Sequence, residues 1–211
     1  MDFSGGKDFG GDRGERPVDG QTEKRAAKRY ASLIRPAKLV CGQGEFVCVI
    51  RDVSSLGVSL RTFHGLPTDP TLALELQNGE SFEIAEVRRE GTEASYRFAE
   101  PVAVERLIHE NWAYPKRQLR LNLTVPVTVS TLTQRAEGMT LNISQQGARV
   151  ECDAAFAIDQ PVRLESDCMA ETRAKVRWRR DSQYGLVFEN TFTLRDFAVF
   201  AAQVQCPPML D

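Results

Sequence analysis

Residues 52–60 read DVSSLGVSL, and residues 142–150 read NISQQGARV. Both run Asp or Asn, an apolar residue, Ser, two further residues, Gly, and then residues suited to a strand. Asp and Ser side chains bond the local backbone, and a glycine can take positive φ, so each stretch predicts a turn between two strands. The flanks agree. EFVCVIRDV (45–53) is rich in aromatic and β-branched residues, and GVSLRTF (57–63) resumes as a strand.

The pattern extends outward from this turn. GQG at 42–44 predicts a hairpin joining RPAKLV to the strand at 45–53. LALELQNGESFEI (72–84) holds two alternating apolar runs around Asn78-Gly79, which predicts a type I′ turn. ASYRFAE (94–100) is a further strand. In VAVERLIHE (102–110), Val104, Leu107 and Ile108 fall at helical spacing. The same order then recurs. LTVPVTVSTL, GMTLNISQQGARVE, PVRLES and ETRAKVRWRRDSQYGLVFEN are strand-like, and TFTLRDFAVFAAQV is helical, with Thr193 and Asp196 spaced as a capping box. Asp52 and Asn142, Ser54 and Ser144, Gly57 and Gly147, and Phe98 and Phe188 are each 90 residues apart. The expectation is an all-β chain of two tandem small barrels, each closed by a short helix, with the boundary near Asn111–Pro115. Residues 1–24 hold six Gly and many mixed charges and predict a flexible, disordered tail.

Composition narrows the function. The 211-residue chain is 42% hydrophobic and 27% charged, enough to bury a core, and its net charge of −2 argues against a protein built to coat DNA or RNA. No run approaches the length needed to cross a membrane, and the start lacks the apolar stretch of a signal peptide. The five cysteines are never spaced CxxC, so reduced thiols in a cytoplasmic protein are expected, with Cys48 in the core. Two histidines make a His-rich metal site unexpected, and His64 is read as a loop residue. No nucleophile elbow, P-loop or HExxH is present, so no enzyme activity is expected. On ETRAKVRWRR, strand alternation puts Arg173, Lys175, Arg177 and Arg179 on one face and Ala174, Val176 and Trp178 on the other, which assigns Trp178 to the core.

A basic pair stands upstream of each turn. Arg25 and Arg29 precede Asp52, and Lys116 and Arg120 precede Asn142 at nearly the same distance. RxxxR followed by D/NxSxxG resembles the PilZ family of bacterial cyclic di-GMP receptors. The resemblance spans nearly all of 25–204 as two tandem PilZ-like domains, 25–112 and 113–211. It implies a six-stranded β-barrel in each, a C-terminal helix, and an Arg-bearing segment that closes over the ligand. The implied site is Arg25, Arg29, Asp52, Ser54 and Gly57. A second candidate set is Lys116, Arg117, Arg120, Asn142, Ser144 and Gly147. There lysine replaces the first arginine and Arg117 is out of register, so the first domain is expected to carry most of the binding.

The residue types suit that ligand. A guanidinium can bond guanine O6 and N7, grip a phosphate or stack on a purine, and a carboxylate can accept from the guanine N1 and N2 edge. The resulting expectation is a cytoplasmic, non-enzymatic receptor in signal transduction. It would bind cyclic di-GMP with no cofactor and signal through conformational change or an unidentified protein partner. The alternative is a PilZ-fold adaptor that works through protein contacts alone.

Overall fold

The computed structural model describes residues 30–108 and 118–210. The expected tail, the expected boundary at 111–115, and Arg25, Arg29, Lys116 and Arg117 lie outside the described residues.

The first barrel is built from β1 (Tyr30–Cys41), β2 (Gly44–Val53), β3 (Gly57–Arg61), β4 (Leu72–Glu75), β5 (Ser81–Glu90) and β6 (Glu93–Phe98). They close in the order β1-β2-β3-β6-β5-β4, with β4 returning to β1. Alternation supplies the core: Val58 and Leu60, Leu72 and Leu74, Phe82 and Ile84, and Tyr96 and Phe98 point inward. The helix α1 (Val104–Ile108) caps it through Leu107. The hairpin at 42–43 is present. The type I′ turn at Asn78-Gly79 is not. Only Gly79 has positive φ, and the amide of Gly79 bonds Leu76 O while that of Glu80 bonds the Asn78 side chain. A three-residue loop therefore joins the strands, with the left-handed residue last.

The second barrel comprises β8 (Pro126–Ser130), β9 (Arg135–Ser144), β10 (Gly147–Cys152), β11 (Pro161–Ser166), β12 (Met169–Arg180) and β13 (Gln183–Phe188). The order β10-β13-β12-β11-β8-β9 closes through β9–β10, and the short β7 (Arg120–Leu121) adds to β9. The repeat holds at the level of register. Tyr30 pairs with Val53; Leu121, 91 residues on, pairs with Ile143, which is 90 beyond Val53. In the first barrel one strand covers the ground that β7 and β8 divide in the second.

The C-terminal helix α2 (Leu194–Gln205) joins the two barrels. Thr193 caps it by accepting from the Asp196 amide, as the capping-box spacing predicted. Its Phe197, Ala198 and Ala201 enter the second core and Ala202 the first. Gln205 at its end bonds both backbone groups of Glu45 on β2, and the Gly65 amide bonds Met209 O beyond it.

His64 lies in the loop after β3, as expected, but is buried. Its Nδ1 faces Gly65 O at 2.6 Å, its Nε2 is buried without a partner among the described residues, and the Phe46 ring stands 5.5 Å away at a tilt of 57°. Burial pushes its pKa below the usual histidine value. The folded state therefore holds it neutral while the unfolded chain protonates near pH 6.5. Stability is expected to be complete above about pH 6.5 and to fall as pH drops below it. Urea unfolding of wild type and His64→Phe across this range tests the point; equal pH slopes would refute it.

Candidate functional site

In each barrel the D/NxSxxG stretch is a two-residue hairpin turn between paired strands. Ser54 Oγ accepts from the amides of Leu56 and Gly57, and Ser144 Oγ donates to Gly147 O at 3.1 Å. The serines tie the turn to itself. The turn carbonyls receive matching bonds: Phe98 N to Leu56 O and Val102 N to Ser55 O, then Phe188 N to Gln146 O and Phe192 N to Gln145 O.

The glycines are required for a reason other than the expected one. Neither Gly57 nor Gly147 has positive φ. A Cβ on Gly57 would lie 2.5 Å from Tyr96 O, and one on Gly147 would lie 2.1 Å from Leu186 O. The neighbouring strand passes too close for any side chain. Of the three motif positions, Ser and Gly build the turn, and Asp52 or Asn142 is the one whose side chain makes none of these turn bonds.

The surroundings of the two turns differ. Asp52, Ser54 and Gly57 line a cavity of about 190 Å³ together with Val87, Ser95 and Arg97. An adjoining space of about 210 Å³ is lined by Arg51, Asp52, Arg88, Glu90 and Glu93, so charge there is mixed. Around the second turn, Arg120, Asn142, Ser144, Gly147, Arg149, Arg177 and Trp178 line one cavity of about 500 Å³ with no carboxylate among the described residues of its wall. The sequence-predicted Arg120, Asn142, Ser144 and Gly147 are thus brought together, and so are Asp52, Ser54 and Gly57.

Arg149, Arg177 and Trp178 were not among the predicted site residues. Trp178 was assigned to the core, yet it is 40% exposed. The cause is an irregularity of register between Val176 and Trp178, which breaks the alternation and turns both Arg177 and Trp178 outward. The indole lies over Gly185, where an added Cβ would sit 1.9 Å from Nε1. Arg149 is held from two sides: its Nε and Nη2 donate to Gln183 Oε1, and its guanidinium stands 6.0 Å from the Trp178 ring centre. At the matching 90-residue offsets the first barrel has Ser59, Val87, Arg88 and Ser95, and its two serines bond each other at 3.2 Å. The signal that could have found the second set is the Gly185 opposite Trp178, a pairing visible only once register is known.

Residues 115–204 are matched as a PilZ domain. The match falls on the copy whose basic segment departs from RxxxR, so this PilZ domain is identified without the first arginine. Among curated proteins, no relative matches. Solved structures with a similar fold include the Borreliella burgdorferi PlzA protein in complex with c-di-GMP (9% identity, TM-score 0.34, covering 82% of this chain and 88% of that one). A second is the Bacillus subtilis inhibitor of motility, MotI/DgrA (11%, 0.36, 83% and 98%). A third is Escherichia coli YcgR in complex with c-di-GMP (10%, 0.29, 78% and 80%). At these scores the superpositions locate no individual residue. Among the described residues no group of three or more His, Cys, Asp or Glu could hold a metal, and no helix is long and apolar enough to cross a membrane.

Proposed function

We propose that the chain is a non-enzymatic receptor for cyclic di-GMP and that its PilZ domain supplies the better-built site. The observation carrying this is the single cavity that joins Arg120, Asn142, Arg149, Arg177 and the exposed Trp178, with no carboxylate among its described lining residues. The ligand has two phosphates and two guanines. Three guanidiniums suit its charge, and their forks suit a phosphate or the guanine O6/N7 edge. Trp178 offers a stacking face for a purine, braced by Arg149. Asn142 can accept from and donate to a guanine edge.

The set Arg25, Arg29, Asp52, Ser54 and Gly57 stays proposed as a second site on the first barrel. Among the described residues the one aromatic on its wall, Tyr96, is buried, and the adjoining space sets Asp52 beside Glu90 and Glu93. That reverses the order expected from the basic pairs alone. Lys116 and Arg117 are proposed to add charge near Arg120. Signalling would follow from ligand gathering the Arg120 segment against β9, next to the contact between the barrels.

Titration calorimetry on the full chain tests the assignment. Wild type is expected to bind cyclic di-GMP at micromolar concentration or tighter. Arg120→Ala is expected to lose about 1.5–3 kcal/mol at the tighter site, roughly tenfold to a hundredfold. Arg29→Ala and Asp52→Ala should leave that site intact. Loss on Arg29→Ala with Arg120→Ala unaffected would move the site to the first barrel. No heat with wild type would sink the receptor reading.

A further inference from the structure

The outer face of β11 and β12 carries a second charged surface, which the proposed ligand site does not use. Arg163 and Arg173 are direct cross-strand partners, and Lys175 follows on the same face opposite Pro161. Like charges set opposite each other in a sheet destabilise it. Among the described residues one ion pair reaches the strip, and it leaves two of the three cations unpaired. Arg163 meets Glu171 only at 3.9 Å, and Arg173 and Lys175 form no ion pair among the described residues. Arg163 and Arg173 line a cavity of about 340 Å³ with Glu189 and with Leu132, which is 94% exposed. At the other end stands Ile158, 62% exposed, beside the Asp159 that reaches Arg177. The arrangement is a short cationic strip with a bare apolar side chain at each end.

We propose that this face docks an acidic protein segment that also carries apolar side chains. Carboxylates would sit between Arg163 and Arg173 and beside Lys175, and aliphatic groups would cover Leu132 and Ile158. A nucleic acid fits less well, because it would leave both aliphatic residues uncovered and the strip offers no aromatic stacking platform. The barrel is closed and β11 and β12 are both interior to it, so docking is by side chains and not by strand addition. The proposal does not depend on nucleotide binding.

The test uses the full chain at physiological salt and three fluorescein-labelled probes. They are a peptide of Glu, Ser and Leu, the same peptide with Ser for Leu, and a single-stranded oligonucleotide of equal charge. Anisotropy is expected to show binding of the first peptide at micromolar concentration. The double variant Arg163→Ser/Arg173→Ser should weaken it roughly tenfold or more, and Leu132→Ser should weaken it several-fold. Arg173→Glu should abolish binding while raising the melting temperature, because it converts a like-charge pair into an opposite one. A structural role alone would not separate those two readouts. A far-UV circular dichroism spectrum like that of wild type and cooperative melting of the double variant would show an intact fold whether or not the chain binds cyclic di-GMP. Oligonucleotide binding that exceeds the peptide and ignores Leu132→Ser would overturn the proposal in favour of nucleic acid. No binding of the Leu peptide would overturn it outright.

Discussion

Gly147→Ala is expected to destabilise the protein by about 3 kcal/mol, the upper part of the range for overpacking a close contact. The new Cβ would stand 2.1 Å from the Leu186 carbonyl oxygen and 3.2 Å from its carbon. Both are backbone atoms of β13, which pairs with β10 at this point through Gly147 and Val187. Relief requires the strands to part, and that opens the ladder next to Asn142. Gly57→Ala should behave similarly in the first barrel, where the contact with Tyr96 O would be 2.5 Å. Gly79→Ala supplies the contrast. Nothing lies within 4 Å of its would-be Cβ, but φ is +89°, so only backbone strain of about 1 kcal/mol is expected. Urea unfolding of the three variants checks this. A Gly147→Ala protein as stable as wild type would show that the strand approach is not what demands glycine.

Glu45→Ala is expected to cost about 3 kcal/mol and to loosen the junction between the barrels. The Glu45 carboxylate accepts from the Asn122 amide at 2.8 Å and from its Nδ2 at 2.7 Å, and pairs with Lys38 at 3.1 Å. The Lys38 side chain is only 7% exposed and has one further partner, Glu75 at 3.1 Å. Removing Glu45 leaves a buried ammonium half-compensated and an amide without its acceptor. Removing the charge on both sides costs less, so Lys38→Met combined with Glu45→Gln should recover part of the loss. Asn122 is two residues from Arg120, so Glu45→Ala should also weaken cyclic di-GMP binding through the Arg120 segment. Thermal unfolding with both variants measures the first effect and calorimetry the second. Equal stability of wild type and Glu45→Ala would remove this contact from the account.

The barrels, the turn, the repeat offset and the helix cap were legible because each depends on local pattern: alternation, Gly and Ser at a turn, Thr193 three residues before Asp196. What escaped depends on contacts between distant residues. Trp178 reads as core on simple alternation, and only the register irregularity at Val176/Trp178 turns it out. The motif glycines read as conformational, but their constraint comes from strands about 40 residues further on. The different walls of the two turns are invisible in the basic pairs. They differ in Arg149, Arg177 and Trp178 against Ser59, Val87 and, in the adjoining space, Arg88, which the fold alone brings to the turn. The bond from Glu45 to Asn122, 77 residues apart, has no local signature at all.

The chain has two tryptophans, Trp112 and Trp178, so Trp112→Phe leaves Trp178 as the sole reporter inside the proposed site. Titrating that variant with cyclic di-GMP while following tryptophan emission tests the central claim most directly. The account predicts saturable quenching at micromolar ligand, as a guanine stacks on the indole, with cyclic di-AMP at least roughly tenfold weaker because the Asn142 and arginine contacts to the guanine edge are lost. Emission unchanged up to millimolar cyclic di-GMP would contradict it.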